Sequence, residues 1–325
     1  MSALARIARV TVATLALAAA AHAAAQAWPA KPIRVLVGFS PGGGTDILAR
    51  LIGQKLSDAW GVQVVVDNRP GASGVIAADL TAKAAPDGYT LMMGHVNSHG
   101  IAPATGVKLP YNAEKDFTTI VMVGNTPNLL VASLGTGTKT MAELVAAAKA
   151  QPGKLTFGSA GNGSIQHLAT EMFKLAAKVD VLHVPYKGSG QMIPDLIANQ
   201  VNYSFDTMTA ITPHVKGGKV QPIASTRLKR TPAYPNLPTV AELGYPGFDV
   251  GTWYGLMGPA GLPRDVVTKI NREVNRILAL PDVKEKLDQV GAEDGGGTPE
   301  QFAEFMRTEI AKYTKIVKDA GLKLD

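Results

Sequence analysis

The chain has 325 residues and no cysteine. Disulfide bonds, thiolate catalysis and cysteine-ligated metal sites are therefore excluded. After an apolar stretch near the N terminus, no segment approaches the roughly 18 consecutive apolar residues that a membrane span requires. Lys and Arg are spread along the chain, and aromatic residues make up only 6% of it, whereas a nucleic-acid groove needs the two clustered together. We therefore expect a globular protein that neither spans a membrane nor binds nucleic acid.

The N-terminal segment has the order of a secretory signal peptide. Arg6 and Arg9 precede an apolar run of about a dozen residues, and the small residues Ala23, Ala24 and Ala25 follow His22. We assign the signal peptide to residues 1–25. Cleavage is predicted after one of three alanines, with the second favoured: Ala23, Ala25 or Ala27. Removal of the two arginines lowers the formal net charge from +6 to +4, and the mature chain is expected in the periplasm.

Apolar runs typical of buried strands alternate with helical patterns along the mature chain. "IRVLVGF" at 33–39, for example, precedes the amphipathic "DILARLIGQKLSDAWG". This alternation predicts an α/β protein with parallel sheets. Two such series, with a C-terminal segment that rejoins the first, predict two lobes: residues 26–124 and 226–325 form lobe I, and residues 125–225 form lobe II. Two connecting strands between the lobes would form a hinge that permits closure around a ligand.

Several helix starts carry capping signals. Thr140 and Glu143 form a capping box, and a second box begins at Thr298 with Pro at the first helical position. Thr45 and Ser164 are predicted N-caps of the helices that follow them. The box at Thr298 opens the second of two helices predicted after the strand "WYGLMGP".

The stretch Gly38-Phe39-Ser40-Pro41-Gly42 matches the G-x-S-x-G pattern of a hydrolase nucleophile elbow, between a predicted strand and a predicted helix. An elbow builds its oxyanion hole with the N–H of the residue after the nucleophile. Here that residue is Pro41, which has no N–H. No later histidine stands in a loop pattern that marks it as the catalytic base. We therefore expect no enzyme and no catalytic residue.

The same glycines favour an anion-binding loop. Glycine-bearing junctions between strand and helix occur four times, two in each predicted lobe: "FSPGGGTD", "NRPGASGV", "GSAGNGSIQH" and "PYKGSGQM". In open α/β sheets, ligands bind outside the carboxyl ends of strands, where helix N-termini offer unpaired N–H groups. One such junction indicates only a tight turn. Four of them favour backbone donors that face a shared cleft, and no cofactor is expected there.

Six stretches that cover essentially the whole mature chain carry a resemblance. They are "RVLVGFSPGGGTDILAR", "VVVDNRPGASGVIAADLTAKAAPDGYTLMMG", "YNAEKDFTTIVMVGNTPNLLVAS", "PGKLTFGSAGNGSIQHLATEMFK", "HVPYKGSGQMIPDLIANQVNYSFD" and "GTPEQFAEFMRTEIAKYTKIVKDAG". In combination they closely resemble the Bug (TctC-type) extracytoplasmic solute receptors of tripartite tricarboxylate transporters. The resemblance implies a type II periplasmic-binding-protein fold. It also implies a small carboxylate ligand held between the lobes, largely by backbone N–H groups and bridging waters.

Carried over position by position, the resemblance implies two groups of ligand-binding residues. The lobe I group is Phe39, Ser40, Gly43, Gly44, Thr45 and Asp46, and the lobe II group is Ser159, Ala160, Gly161, Gly163 and Ser164, with His167 one turn into the helix. Asp206 resembles a family aspartate that can face a ligand amine. The chain departs from the family where "VGFSPGGG" replaces the more usual "VPFPPGGG", and where "HVNSHGIAPATGVKLPY" lacks the usual Asn-Pro-x-Leu-Tyr run. These departures leave the identity of the ligand open.

The segment after the strand "YTLMMG" should line the cleft, and we predict His95 and Ser98 as ligand-binding residues there. His95 and His99 also have the spacing of a helical metal site. Gly94 and Gly100 argue against a helix at this point, so no metal is predicted.

Two acidic residues leave alternatives open. If Asp206 points inwards, it predicts an amine or a hydroxyl on the ligand; if it caps the next turn through Thr207 and Met208, it says nothing about specificity. Asp46 lies in a first helical turn, where a carboxylate suits the helix dipole but repels a nearby anion. It therefore acts through a bridging water or only stabilises the helix.

The predicted function is that of a monomeric periplasmic receptor. It would close on a small carboxylate and deliver it to the permease subunits of a tripartite tricarboxylate-type transporter. The alternative is an orphan carboxylate receptor that signals to a sensor protein instead of feeding transport.

Overall fold

The computed structural model describes residues 28–293, 295–319 and 321, so the predicted signal peptide lies outside the described residues. The described strands are β1 Ile33–Val37, β2 Val64–Asn68, β3 Thr90–His95, β4 Phe117–Ser133, β5 Thr156–Ser159, β6 Leu182–Pro185, β7 Tyr203–Thr207, β8 Val220–Ser225 and β9 Gly251–Pro259. The longer helices are α1 Gly44–Trp60, α2 Val75–Ala82, α3 Met141–Ala150, α4 Ile165–Ala177, α5 Ser189–Ile197, α6 Met208–Lys216, α7 Arg264–Leu278, α8 Pro281–Gln289 and α9 Pro299–Asp319. Among these described helices, none combines the length and the apolar character that a membrane crossing needs.

The strands form one mixed sheet in the order β2-β1-β3-β9-β4-β7-β5-β6, and β8 also pairs with β4. β1 is parallel to β2 and β3, and β5 is parallel to β6 and β7. β9 is antiparallel to β3 and β4, and β4 is antiparallel to β7 and β8. The α/β prediction is confirmed. The sheet is not purely parallel, because β4 and β9 at its centre run against their neighbours.

Strand β4 has 17 residues and joins the two halves of the sheet. Its residues 117–127 pair with β9, and its residues 128–133 pair with β7 and β8. We call β1, β2, β3 and β9 with their helices the first half, and β5 to β8 with their helices the second half. The chain returns to the first half through residues 226–250. The strands that pair with β4 change between Pro127 and Asn128. The predicted limits of lobe I and lobe II remain a prediction.

Side-chain caps decide where several helices begin. The capping box at Thr140 is confirmed. The predicted cap of α4 is also confirmed, because the Ser164 hydroxyl accepts the His167 N–H at 3.2 Å. The prediction for Thr45 is wrong: α1 follows the N-cap Gly43, and no side chain caps it among the described residues. The extended backbone of Gly43 leads directly into the helix, so Thr45 lies inside the first turn.

The C-terminal region contains three helices, α7, α8 and α9, where two were predicted. Pro281 occupies the first position of α8, where a missing N–H costs nothing, and this separates α8 from α7. The box at Thr298 is confirmed: its N–H donates to Gln301 Oε1 at 2.8 Å, and its hydroxyl accepts the Gln301 N–H at 3.2 Å.

Strand β9 is buried along its whole length. Because side chains alternate along a strand, Trp253 and Tyr254 enter different apolar clusters. Trp253 packs edge-on against Phe302 of α9, with ring centroids 5.6 Å apart. Tyr254 lies on the opposite face, beside the start of α1, and this position brings its hydroxyl to the cleft described next.

Candidate ligand-binding site

A cavity of about 240 Å³ lies where the two halves meet. All four glycine-bearing junctions line it, with residues that follow β1, β2, β5 and β6. They are Gly38 and Phe39; Gly71, Ala72 and Ser73; Ala160, Gly161 and Asn162; and Pro185, Tyr186 and Lys187. The structure therefore brings the four junctions of the sequence together at one place, at the carboxyl ends of parallel strands.

Three hydrogen bonds join the halves around this cavity. The Ser40 N–H donates to the Lys187 carbonyl at 3.0 Å. The Ser73 hydroxyl donates to the Asn162 carbonyl at 2.5 Å. In the third bond, the backbone N–H of Ile165, at the start of α4, donates to Asn97 Oδ1 at 2.9 Å. The two halves are thus in direct contact around the cavity, which corresponds to a closed conformation.

The loop before α1 and the start of α5 approach each other closely. A Cβ atom on Gly190 would lie 2.0 Å from the carbonyl oxygen of Pro41, which no side chain can accommodate. Gly44 is similarly confined, since its Cβ would lie 2.5 Å from the Tyr254 hydroxyl and 3.1 Å from that of Thr207. Glycine is therefore required on both sides for the halves to meet.

The first-half residues predicted from the sequence surround the start of α1. Gly43 is its N-cap, and Gly44, Thr45 and Asp46 form its buried first turn. Phe39 lines the cavity. Ser40 is buried, and its hydroxyl has no hydrogen-bond partner among the described residues.

Asp46 holds this loop in place through both carboxylate oxygens. Oδ2 accepts the Gly42 N–H and the Arg50 Nε–H at 3.0 Å, and Oδ1 accepts from Asn68 Nδ2 at 2.9 Å. Burial alone would raise the pKa of Asp46, but the hydrogen bonds from Arg50, Gly42 and Asn68 hold it below its ordinary value. Because its charge is compensated within the chain, Asp46 stabilises the helix start, as the second of the two sequence interpretations proposed.

His95 lies at the end of β3, between the rings of Phe39 and Tyr254, with centroid distances of 4.7 and 5.2 Å. Its Nδ1 accepts the Asn97 N–H at 3.1 Å. Burial, with a smaller contribution from His99, lowers the pKa of His95 to about 3, so the ring is neutral at neutral pH. His95 therefore contributes shape and an acceptor to this wall.

The segment after His95 differs from the sequence prediction. Residues Asn97–Ile101 form a π-helical turn, so the inference that Gly94 and Gly100 exclude a helix was wrong. π-helical turns occur preferentially at functional sites. The Ser98 hydroxyl pairs with His99 Nδ1 at 2.9 Å and donates to a backbone carbonyl, so it is engaged within its own turn. No group of three or more metal-ligating side chains occurs among the described residues.

The second-half residues predicted from the sequence surround the start of α4. Ala160 and Gly161 line the cavity. The Ser159 hydroxyl contacts His183 Nε2 at 2.5 Å, and the ring of His183 stacks on that of His167 with centroids 3.8 Å apart. The Gly163 N–H donates to His167 Nδ1 at 3.2 Å, and Ser164 caps the helix. Several donors of this group are therefore already used by the protein itself.

Asp206 is fully buried at the end of β7. Its Oδ1 accepts from the Ser189 hydroxyl at 2.5 Å, from the Thr207 N–H at 2.8 Å and from Gln166 Nε2 at 3.3 Å. Its Oδ2 has no hydrogen-bond partner among the described residues. Burial raises the pKa of Asp206 to about 6, and the three hydrogen bonds limit the rise. One oxygen thus makes the contact to Thr207 that the capping interpretation required, and the other remains available.

Sequence reasoning missed several polar residues at the boundary of the halves. Buried atoms without a hydrogen-bond partner among the described residues include Asn97 Nδ2 and Gln166 Oε1. The buried side chains of Tyr254, Thr207 and Thr209 lie together beside Gly44. Ser73 and Ser189 stand inside two of the four junctions, so their position was a usable signal. No such signal marked Tyr254, because its strand β9 lies far from these junctions in the sequence.

The comparison with protein families decides which family these features represent. The model of the tripartite tricarboxylate transporter family receptor (TctC) matches residues 48–322. The chain belongs to this family. Its members are solute-binding receptors, which agrees with the exclusion of the nucleophile elbow, and the family is periplasmic.

Individual TctC-type proteins agree along the whole fold. BugT from Bordetella pertussis is 37% identical over 302 residues, which cover 91% of each chain. The structure of Rpa4515 with adipate, from R. palustris, has a TM-score of 0.87 and 37% identity over 90% of this chain and 98% of that one. MatC from Rhodopseudomonas palustris with bound malate has a TM-score of 0.85 and 34% identity over 89% of this chain and 100% of that one. The two-lobed binding-protein fold is therefore confirmed.

Proposed function

We propose that this TctC-type receptor captures a small carboxylate in the cavity between its halves and delivers it to the permease subunits of a tripartite tricarboxylate-type transporter. The observation that carries the proposal is the convergence of all four glycine-bearing junctions on one cavity. Uncapped helix starts offer N–H groups and a positive dipole end to an anion. The related structures with adipate and malate indicate the chemical class.

Such a site uses few charged side chains, so it distinguishes ligands by their length and their other polar groups. Asp206 Oδ2 and Gln166 Oε1 are buried acceptors without a partner among the described residues. An unpaired buried acceptor is costly, whereas a ligand hydroxyl or amine would satisfy it. We therefore infer that the ligand carries such a donor in addition to its carboxylate, which favours malate-like over adipate-like compounds.

A thermal-shift screen of the mature protein tests the proposal. The panel contains mono- and dicarboxylates, hydroxy acids, amino acids and aromatic acids, with malate and adipate included. We expect stabilisation by at least one small carboxylate, because a ligand that binds only the native state stabilises it by mass action. A panel in which no carboxylate raises the melting temperature, while a non-acidic solute does, would contradict the proposal.

The inferred donor on the ligand is tested by Asp206→Asn, which keeps the shape of the side chain and removes its charge. A ligand with an amine should lose about 2 to 5 kcal/mol of binding free energy, as one partner of a buried charge pair does. A plain dicarboxylate should bind as tightly or more tightly, because a like charge has been removed. Calorimetric affinities for an amino acid and for adipate decide between these outcomes, and unchanged affinity for an amine-bearing ligand would remove Asp206 from the site.

Delivery to a permease is tested in cells. We expect deletion of the receptor gene to abolish uptake of the radiolabelled carboxylate found in the screen, and expression of the wild-type chain to restore it. If uptake persists while transcription of carboxylate-responsive genes is lost, the receptor serves a sensor instead.

A further inference from the structure

Asn97 occupies an unusual position between the two halves. It is fully buried and is the first residue of the π-helical turn after β3. Its Oδ1 accepts the N–H of Ile165, in the other half, at 2.9 Å. Ile165 begins α4, so this N–H has no acceptor inside its own helix. The bond also fixes the orientation of the amide, because only the oxygen can accept a hydrogen bond from a backbone N–H.

The other end of the same amide is unsatisfied. Asn97 Nδ2 is buried and has no hydrogen-bond partner among the described residues. The backbone N–H of Asn97 is already donated to His95 Nδ1, so the free donors of this residue belong to the side chain. A buried amino group without an acceptor costs free energy, and a carboxylate oxygen is an acceptor that would more than repay it.

Asn97 is not itself a lining residue of the cavity, but its neighbours adjoin residues that line it. The cavity-lining loop 160–162 leads directly into Ser164 and Ile165. On the other side, His95 packs against the cavity-lining ring of Phe39. The Cβ of the adjacent Ser98 would be 3.5 Å from a Cβ on Gly74, next to the junction 71–73. Asn97 is thus surrounded by junctions from both halves.

We propose that Asn97 couples carboxylate recognition to closure: its amino group donates to a ligand carboxylate oxygen, and its carbonyl oxygen holds the first N–H of α4. The inference rests on the proposed function. A ligand that orients the amide through Nδ2 presents Oδ1 to α4, so one side chain reads the ligand and joins the halves. Nothing in the sequence pattern marks Asn97 for this role beyond its place after β3.

Two substitutions separate the two ends of the amide. Asn97→Asp, at pH 7.5, keeps an acceptor for Ile165 but replaces the donor by an anionic oxygen that repels a carboxylate. Asn97→Leu keeps the number and branching of the side-chain heavy atoms and removes both functions. Lys216→Ala is the matched control, because it removes a bond between the halves away from the cavity, the one from Lys216 Nζ in α6 to the Gln289 carbonyl in α8.

Calorimetric titration measures the contribution of Asn97 Nδ2 to ligand affinity. The ligands are malate, adipate and the panel carboxylate that gives the wild type the largest thermal shift. We expect affinity to fall at least 100-fold in Asn97→Asp and at least 30-fold in Asn97→Leu. Lys216→Ala should lose less than 5-fold, because it removes a contact between the halves without changing a residue that lines the cavity. Asn97→Asp affinity within 3-fold of the wild type would overturn the proposal.

Amide hydrogen exchange at single-residue resolution, with enough of the panel carboxylate to saturate each protein, measures the bond between Asn97 and Ile165 in the closed state. We expect the Ile165 N–H to be protected in the wild type and in Asn97→Asp, and to exchange at least 10-fold faster in Asn97→Leu. The His167 N–H, which is held by Ser164 in the same half, is the internal reference and should not change. Equal Ile165 exchange in all three proteins would overturn the closure role.

The two proposals fail in different ways. If no carboxylate binds the wild type, the proposed function is contradicted, and the inference about Asn97 falls with it. If carboxylates bind the wild type but Asn97→Asp binds them equally well, only the inference about Asn97 is contradicted.

Discussion

The helix starts of α1 and α4, which follow two of the four junctions at the cavity, differ in how their N–H groups are used. At α1, the N-cap is Gly43, and no side chain caps the helix among the described residues. At α4, Ser164 accepts the His167 N–H, and Asn97 from the opposite half accepts the Ile165 N–H. Among the described residues, no side chain therefore takes up the first N–H groups of α1, whereas α4 uses two of its N–H groups in bonds to Ser164 and Asn97.

This difference indicates how one fold can both bind and close. A helix start with free N–H groups attracts an anion through its unpaired donors and its dipole. A helix start that is completed by a residue from the other half gains that partner only when the halves meet. We therefore expect substitutions at the α1 start to change anion binding mainly, and substitutions at the α4 start, where Asn97 is proposed to serve both roles, to change closure as well.

The largest effect is expected for Gly190→Ala, which should prevent the two halves from making contact. Its Cβ would overlap the Pro41 carbonyl oxygen, so the loop before α1 could no longer reach α5. We expect affinity for the carboxylate found in the screen to fall at least 100-fold, about 2.7 kcal/mol. Small-angle scattering should show that this carboxylate no longer reduces the radius of gyration, as it should in the wild type.

The matched control is Gly43→Ala in the facing loop. Its Cβ would meet the Ser40 carbonyl oxygen at 3.6 Å, an ordinary contact, so the loss of affinity should be much smaller. Equal losses in the two variants would show that steric exclusion at Gly190 is not the cause.

An intermediate effect is expected for Asp46→Ala, which removes the carboxylate that holds the loop before α1 in place. The Gly42 N–H, Asn68 and Arg50 lose their partner, and we expect the free energy of unfolding to fall by about 2 to 4 kcal/mol. The pKa of Asp46 is lowered from 3.8 in the folded state. Its contribution is therefore present above that pH and is lost as the pH falls through the folded-state pKa.

Chemical denaturation of wild type and Asp46→Ala at pH 7 and at successively lower pH checks this. The difference in the free energy of unfolding between the two proteins should decrease as the pH is lowered. Arg50→Ala is the control, since the Arg50 side chain is 53% exposed and its loss should cost about 1 kcal/mol or less. A difference that is independent of pH would assign the effect to packing instead of charge.

The smallest effect is expected for Ser164→Ala, which removes the cap on the α4 side. Loss of a serine N-cap costs about 1 kcal/mol of stability. Thr140→Ala removes the cap of α3 and should have a similar cost. We expect only Ser164→Ala to weaken carboxylate binding as well, by a few-fold in calorimetry, because α4 starts beside the cavity and α3 does not. Equal affinities in both variants would show that the α4 cap is not linked to the site.

Local chemistry in the sequence determined much of this protein. Alternating apolar runs predicted the α/β class, and the boxes at Thr140 and Thr298 predicted two helix starts. Pro41 excluded the oxyanion hole of an elbow because proline has no N–H. The four glycine-bearing junctions predicted where the chain turns towards a ligand. Each of these conclusions depends on residues close together in the chain.

The tertiary structure decided what depends on distant residues. Whether Asp46 repels a ligand depends on Arg50 and Asn68, and these compensate its charge. Whether the α4 donors are free depends on Asn97, 68 residues earlier in the chain. The hydroxyl of Tyr254 reaches Gly44 only because β9 enters the sheet between β3 and β4. Local sequence sets which groups a loop offers, but the assembly of strands sets which of them remain unpaired, and in a site built from hydrogen bonds that pairing decides what is bound.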